Sequence, residues 1–401
     1  MRTCTTKLLR GLLFMHFRTS RNTSGIVLRV VRTSCALWLF ASLAACEQQA
    51  ASLPPTTPAA PAPTAAHPAS TPIAAMAGGY RIFVTNEMSG DLSVIDAATH
   101  DVIATVALGK RPRGLQASAD GKTLYVALSG SPVGGPGVDE SKLPLPDKGA
   151  DGIGVIDVQT LQLQRILRGF SDPERIALSP DGKQLFVASE DTGNAVIADT
   201  ADGTVRATLA VGDEPEGIAV SKDGKFVYVT AEEANQVTVI ATDTHRIVTH
   251  FPAGKRPRGI AFSPDSAWAW VTGENDASLT IVSAKSHTRV GTLTIPGENA
   301  RPMGVAVSPD GSRVFVSTGR GGTVVAVNAA TGAIVGSVTV GARPWGLALS
   351  PDGNLLYTAN GPSDDVSLVD AHTLRVIGKI AVGQRPWDVA TIATTASEVV
   401  P

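Results

Sequence analysis

The sequence predicts an all-β protein, a seven-bladed β-propeller with four antiparallel strands in each blade. Three observations predict it. A proline recurs at Pro112, Pro173, Pro215, Pro257, Pro302, Pro344 and Pro386, in steps of 61, 42, 42, 45, 42 and 42 residues, and a period near 42 with strand-like content marks a propeller or an array. Each period holds four short segments rich in β-branched and aromatic residues, as in Ile218-Ala-Val-Ser, Phe226-Val-Tyr-Val-Thr, Gln236-Val-Thr-Val-Ile and Arg246-Ile-Val-Thr-His-Phe. Third, the two ends are complementary fragments. The copy beginning at Tyr80 has no first strand before it, and Trp387-Asp-Val-Ala-Thr has no hairpin after it. The C-terminal strand is therefore expected to be the inner strand of the N-terminal blade, closing a ring over residues 80–392. A linear solenoid would need polar capping repeats at both ends.

Residues 1–46 carry Arg2, Lys7, Arg10, Arg18, Arg21, Arg29 and Arg32 and no acid, and end in an apolar run to Leu43-Ala-Ala-Cys46. A basic segment, a short apolar one and small residues at the cut describe an export signal too short to span a bilayer. Met15 is an alternative start within this long leader. Leu-Ala-Ala-Cys resembles the lipobox of bacterial lipoproteins, which implies that Cys46 is lipidated; Glu47 after it resembles the outer-membrane sorting case. An ordinary cleaved secretory signal is the alternative. Residues 47–79 are Ala, Pro, Thr and Ser with few large apolar groups, the composition of a disordered tether. A short tail, 393–401, follows the ring.

Cys4, Cys35 and Cys46 all precede the folded part, which leaves no thiol there for a disulfide or a metal. Removing the leader's seven basic residues leaves 27 of 34 against all 36 acids, a formal charge of −9. That balance argues against a nucleic-acid binder.

Within each unit, Lys222-Asp-Gly-Lys and its counterparts supply an Asp-Gly turn that reverses the chain with positive φ. Second strands begin at Tyr80, Leu124, Leu185, Phe226, Trp268, Val314 and Leu356. Chain direction then puts the turns after the second strands on the same face as the prolines. These are Asn86-Glu87, Glu190-Asp191, Glu232-Glu233, Glu274-Asn275, Arg320 and Asn360. The extra residues of the 61-residue step fall in this loop set, between Ala127 and Ile153, in a Gly- and Pro-rich insertion of alternating charge. Long loops on rigid scaffolds serve as lids or contact surfaces, or are simply tolerated.

The prolines are flanked by Arg111, Asp172, Glu214, Arg256, Arg301, Arg343 and Arg385 before them, and by Arg113, Glu174, Glu216, Arg258, Met303, Trp345 and Trp387 after them. The second and third units are acidic; the rest bring Arg and Trp together. Arg offers a planar fork for carboxylates and Trp a face for stacking. The expected binding residues are Arg111, Arg113, Arg256, Arg258, Arg301, Arg343, Trp345, Arg385 and Trp387, with Glu174 and Glu216 on the acidic side, for a flat or anionic ligand beneath the insertion. Two arrangements stay open: a ligand arc, or Arg residues paired with neighbouring acids and Trp rings plugging the channel.

No catalytic residue is assigned. His100, His245, His287 and His372 fall in turns on the far face and His250 on an outer strand, so none reaches the mouth to act as a base or haem ligand. Gly-x-Ser-x-Gly, paired metal-ligand spacings and phosphate loops are absent from the sequence. Glu190, Asp191, Glu232 and Glu233 could hold Ca²⁺; solvated loop acids are the alternative.

The repeats Leu124-Tyr-Val-Ala, Phe226-Val-Tyr-Val-Thr, Ser263-Pro-Asp, Ser308-Pro-Asp-Gly and Ser350-Pro-Asp-Gly, with Val94-Ile-Asp and Val369-Asp, resemble the YVTN-type β-propeller repeats of bacterial cell-envelope proteins. The resemblance covers Tyr80 to about Thr391. The series Asp172-Pro-Glu, Glu214-Pro-Glu-Gly, Arg256-Pro-Arg, Arg301-Pro-Met-Gly and Arg343-Pro-Trp-Gly is similar to a seven-repeat subgroup associated with pyrroloquinoline-quinone-dependent alcohol catabolism. Departures are Arg175 and Asp388 in place of the Gly after the proline, and Ser266 in place of the turn Gly. The leading expectation is a non-catalytic envelope binding module linked to quinone-dependent catabolism or transport, a monomer without a resident cofactor; Ca²⁺ or pyrroloquinoline quinone at the mouth is the alternative. The family's relatives also include lactonase-like hydrolases, a second reading, and a structural scaffold is a third.

Overall fold

A computed structural model of the chain describes residues 79–134 and 138–394, which form seven four-stranded antiparallel sheets. The leader with Cys46, the tether up to residue 78 and the tail from 395 lie outside the described residues. The fold is a seven-bladed β-propeller.

The first blade is built from both ends of the chain. Tyr80–Asn86, Asp91–Asp96 and Val102–Ala107 follow each other, and Pro386–Ala393 supplies the inner strand, in register from Tyr80↔Ala393 to Thr85↔Asp388. Backbone hydrogen bonds thus close the ring and remove the strand edge that an open array would expose. The other blades take their inner strands at Pro112–Ala117, Pro173–Leu178, Pro215–Val220, Pro257–Phe262, Val305–Val307 and Pro344–Leu349. The sixth is short because the 45-residue step places Pro296-Gly-Glu-Asn ahead of Pro302, and the chain from Arg301 to Gly304 runs without a ladder. Second strands start where expected at Tyr80, Phe226 and Trp268 and one residue earlier at Thr123, Gln184, Arg313 and Leu355.

The apolar core lies between blades. Phe83, Leu92 and Val94 of the first blade, for instance, pack on Leu115, Leu124 and Val126 of the second, and Phe186 and Ile197 of the third on Val227 and Ile240 of the fourth. Each such fully buried side chain contributes about 1.5–3 kcal/mol. Hydroxyls tie neighbouring blades together across the same seams. Thr85 Oγ1 donates to the Arg113 carbonyl at 2.7 Å, Thr230 to Arg258 at 3.0 Å, Thr272 to Met303 at 2.7 Å, and Ser317 Oγ to Trp345 at 2.6 Å.

The Ser-x-Asp-Gly turn is explained by its own hydrogen bonds. Ser221 Oγ donates to Asp223 at 2.6 Å and accepts the Phe226 N–H at 3.0 Å, while Gly224 holds φ 74°. Ser266 takes the same left-handed conformation, φ 57°, and its Oγ accepts the Asp223 N–H of the preceding blade at 3.0 Å. That bond offsets part of the cost of a side chain at positive φ.

Candidate functional site at the proline face

A β-bulge shapes this face. In the fourth blade Pro215 pairs with Ala231 but Ile218 with Val229, and the second, third, fifth and seventh blades slip at the same place. A bulge re-aims the side chains it carries. The residues flanking each proline consequently separate into two tiers. Those after it are buried, Trp345 being half-buried. Those before it sit above them at positive φ: Arg111 40°, Asp172 42°, Glu214 52°, Arg256 55°, Arg343 49° and Arg385 56°. Such a conformation costs a non-Gly residue about 1–2 kcal/mol. None of these positions uses Gly, so the charged side chains are held at the mouth against that cost.

The lower tier resolves into neighbouring pairs. Arg113 bonds Glu174 and Arg258 bonds Glu216, each across one blade boundary. Trp345 lies against Trp387, ring centroids 5.3 Å apart and tilted by 51°. Met303 fills the remaining place and is buried. Trp387 is 1% exposed, with the guanidiniums of Arg175 and Arg113 over its ring at 4.6 and 5.5 Å. This layer separates the mouth, a cavity of about 960 Å³, from a second cavity of about 830 Å³ on the far face, which Arg175 and Asp388 line. Arg175 donates to Asp388 at 2.8 Å within the layer, so the two departures from the repeat's Gly are partners.

The mouth therefore differs from the expected single arc. Arg111, Arg113, Arg256, Arg258, Arg343, Trp345 and Arg385 line it, whereas Arg301, Trp387, Glu174 and Glu216 do not. Most of the arginines are already engaged. Glu87 accepts from Arg111 at 2.9 Å and lies 3.3 Å from Arg385. Glu232 takes Arg256 and Arg258, and Glu274 accepts from Arg258 at 2.8 Å. Arg301 donates to Asn275 at 3.0 Å. Arg343 and Arg320 have no acidic side chain within 4.0 Å among the described residues. The reason is local: the turns that carry Glu87, Glu190, Glu232 and Glu274 in other blades carry Thr318-Gly-Arg320 in the sixth and Asn360-Gly361 in the seventh. Arg343 lies over Trp345, Cζ 4.9 Å from the ring centroid.

The insertion lies over the mouth as expected. Arg111 donates to the carbonyls of Ser131 at 2.8 Å and Pro132 at 3.0 Å, Lys110 pairs with Asp147 at 2.7 Å, and Lys148 bonds Asp191. Asp151 accepts the N–H groups of Gly130 at 2.6 Å and Asp172 at 3.0 Å. Val133, Leu143 and Pro146 are thereby set into the cavity wall.

The acids expected to hold Ca²⁺ are not gathered as a set. Glu190 lies 3.4 Å from Arg113, Asp191 meets Lys148, Glu232 meets two arginines, and Glu233 is exposed. The carboxylates that do converge are Asp172, Glu174 and Glu190, within 4.8 Å of one another, and the Arg113 guanidinium stands among them. Burial, and then Arg111's like charge, push the Arg113 guanidinium down to about 10 despite these acids. Burial pushes the Glu232 carboxyl up to about 8, with Arg256 opposing, yet its side chain is locked under the arginines. Glu214 is raised too, by burial and then by Glu190's charge, and it is half-exposed.

His245 and His287 bond Gln184 at 3.1 Å and Tyr228 at 2.7 Å on the far face, and His250 bonds Thr238 at 2.9 Å on an outer strand. No His lines the mouth among the described residues. Glu87 and Glu232 realise the alternative in which arginines pair with neighbouring acids. The signal is a spacing: each precedes its Arg, Arg111 or Arg256, by 24 residues.

Two family models match parts of the chain: "Choice-of-anchor I domain" over residues 74–258, and "Lactonase, 7-bladed beta-propeller" over residues 244–376. The likeness is one of fold. A putative 6-phosphogluconolactonase from Bacteroides uniformis superposes with a TM-score of 0.64 at 19% identity, covering 79% of this chain and 100% of that one. Antigen Lp49 of Leptospira interrogans is 29% identical over 178 residues, 33% of this chain and 39% of its own. The uncharacterized protein YncE of Salmonella typhi is 48% identical over 46 residues, 12% of this chain and 13% of its own. The match thus spans well under half the length of these curated relatives.

Proposed function

We propose that the protein is a non-catalytic binding module of the cell envelope, which holds an organic anion with a flat body at the sixth- and seventh-blade side of its mouth. Arg343 and Arg320 take the anionic group and Trp345 stacks on the body, with the insertion as roof. The observation that carries this reading is the missing counter-ion: Arg343 and Arg320 face a cavity of about 960 Å³ without an acid within 4.0 Å among the described residues. Burial, then the like charge of Arg385, lower Arg343's affinity for its proton, with Glu274 opposing and Arg258 and Arg320 adding to the effect. An incoming carboxylate relieves that repulsion. Pockets of this size with few convergent polar groups are the usual form of small-molecule sites.

The YVTN-type repeats and the similarity to the quinone-associated subgroup make pyrroloquinoline quinone, a planar tricarboxylate, the first probe. The leader and Cys46 support an exported lipoprotein, tethered through residues 47–79 to the outer membrane. A thermal-shift screen of planar mono-, di- and tricarboxylates against simple anions tests the reading. Selective stabilisation by the planar acids supports it, and equal response to sulfate and acetate overturns it.

A lactonase-like hydrolase is the second reading. It is favoured by the lactonase family model over residues 244–376 and by Glu214, a half-exposed carboxyl of raised pKa opposite the arginines. Turnover of sugar-acid lactones that is lost in Glu214→Gln would select it.

A further inference from the structure

Among the described residues, the mouth carries charged side chains of both signs that form no ion pair within 4.0 Å. Glu214 and Asp213 of the fourth blade have no basic side chain within 4.0 Å among the described residues. Arg343 of the seventh blade and Arg320 of the sixth have no acid within 4.0 Å among them either. Fourth and seventh blades are three steps apart, the largest separation a ring of seven allows. Burial and then Glu190's charge raise the Glu214 pKa, with Arg256 opposing, and burial and then Arg385's charge lower that of Arg343, with Glu274 opposing. Most other charges of the two tiers are paired, Arg113 with Glu174, Arg258 with Glu216, Arg111 with Glu87, while Arg301, outside the mouth, donates to Asn275. An unmatched pair of walls within a matched ring marks where charge is supplied from outside.

We propose that this anion carries a second, cationic end and spans the mouth, its anionic end on Arg343 and Arg320, a flat side group on Trp345 and its cationic end on Glu214 and Asp213, as in a short aromatic peptide with free termini. This rests on the anion reading given above and adds the second pole. A simple anion satisfies one wall and leaves the other facing like charge. A free amino acid carries its two charges within one residue, whereas an extended chain advances about 3.3 Å per residue, so the termini of three to five residues stand roughly 10–16 Å apart. Trp345 below and Val133, Leu143 and Pro146 above give the middle of such a ligand an apolar slot. Capture of a terminal amine and a terminal carboxylate is an established mode of peptide recognition.

The test uses the mature full-length chain and three forms of one tetrapeptide, Ala-Tyr-Ala-Ala: free at both ends, N-acetylated, and C-amidated. Calorimetric titration is expected to show at least tenfold weaker binding for either capped form. In Glu214→Gln the free and acetylated peptides become equal while the amidated one stays weak; in Arg343→Gln the pattern reverses. Near-ultraviolet circular dichroism of both variants, expected to match wild type, checks folding. Equal binding of free and acetylated peptide by wild type overturns the cationic pole and leaves the anion reading standing. Binding of planar carboxylates with no binding of any peptide does the same. Binding of neither overturns both.

Discussion

Arg175 Nη1 and Asp388 Oδ2 meet at 2.8 Å in the middle of the ring, joining the inner strand of the third blade to the C-terminal strand that closes the first. At the equivalent place the other blades have Gly, packed so tightly that a Cβ on Gly217 or Gly346 would overlap the Arg258 carbonyl or Asp388 itself. Two substitutions that each look like a defect in a repeat form one device. Burial raises the Asp388 pKa, with Arg175 opposing.

Removing one partner leaves a buried charge unpaired. Arg175→Gly should destabilise by about 3–5 kcal/mol, and Arg175→Gly with Asp388→Gly, which restores the repeat, by much less. The sign of the pH effect follows from the raised carboxyl: its ionised form is disfavoured in the folded state above the folded pKa. The penalty in the single variant is therefore largest at pH 7 and is relieved as pH falls through that value toward the unfolded one. Urea unfolding of the three proteins at pH 7 and pH 5 checks both statements.

Ring closure depends on the last strand. A chain ending before Arg385 loses the ladder between Pro386–Ala393 and Tyr80–Asn86, and with it Val389, which packs with Ile82 and Val84 against the seventh blade. It should aggregate and melt at lower temperature. A truncated protein that elutes as a monomer with an unchanged melting temperature contradicts the split blade.

The tight inner-strand glycines give a prediction independent of charge. Gly217→Ala should cost about 1–3 kcal/mol from overpacking, because the new methyl meets backbone and not a movable side chain. Gly109→Ala meets no atom within 4 Å and differs only through its φ of 116°. Equal unfolding midpoints for wild type and Gly217→Ala contradict this packing.

The blades, their order and the split closure were legible in the sequence because a 42-residue period, Asp-Gly turns and unmatched end strands are local signals. The side-chain architecture of the mouth was legible only in part. That Arg113, Glu174, Glu216 and Arg258 follow the recurring prolines is visible in the sequence, but the bulge that turns them inward depends on ladder register, which no single-residue signal reports. Trp387 drew attention as a stacking face, and Trp345 with Arg175 and Arg113 covers it. The freedom of Arg343 follows from what the neighbouring turns lack, Glu at Thr318 and Asn360–Gly361, a signal visible only when the repeats are laid over one another.

Cys46→Ser should move the protein from the membrane fraction to the soluble one, since lipid on that residue is the proposed anchor. Fractionation, with mass spectrometry of the wild-type N-terminus, measures it. A variant that stays membrane-bound contradicts the lipoprotein assignment.

The most direct measurement is a titration of pyrroloquinoline quinone into the mature protein, followed by tryptophan fluorescence, for wild type, Arg343→Gln and Arg301→Gln. Arg343 lies over Trp345 in the mouth, while Arg301 is engaged by Asn275 and lies outside it. The account predicts saturable quenching in wild type, affinity weakened about tenfold or more in Arg343→Gln, consistent with loss of a charge-assisted bond of about 1.5–3 kcal/mol, and little change in Arg301→Gln. Wild type without saturable binding, or Arg343→Gln binding as tightly as wild type, would contradict it.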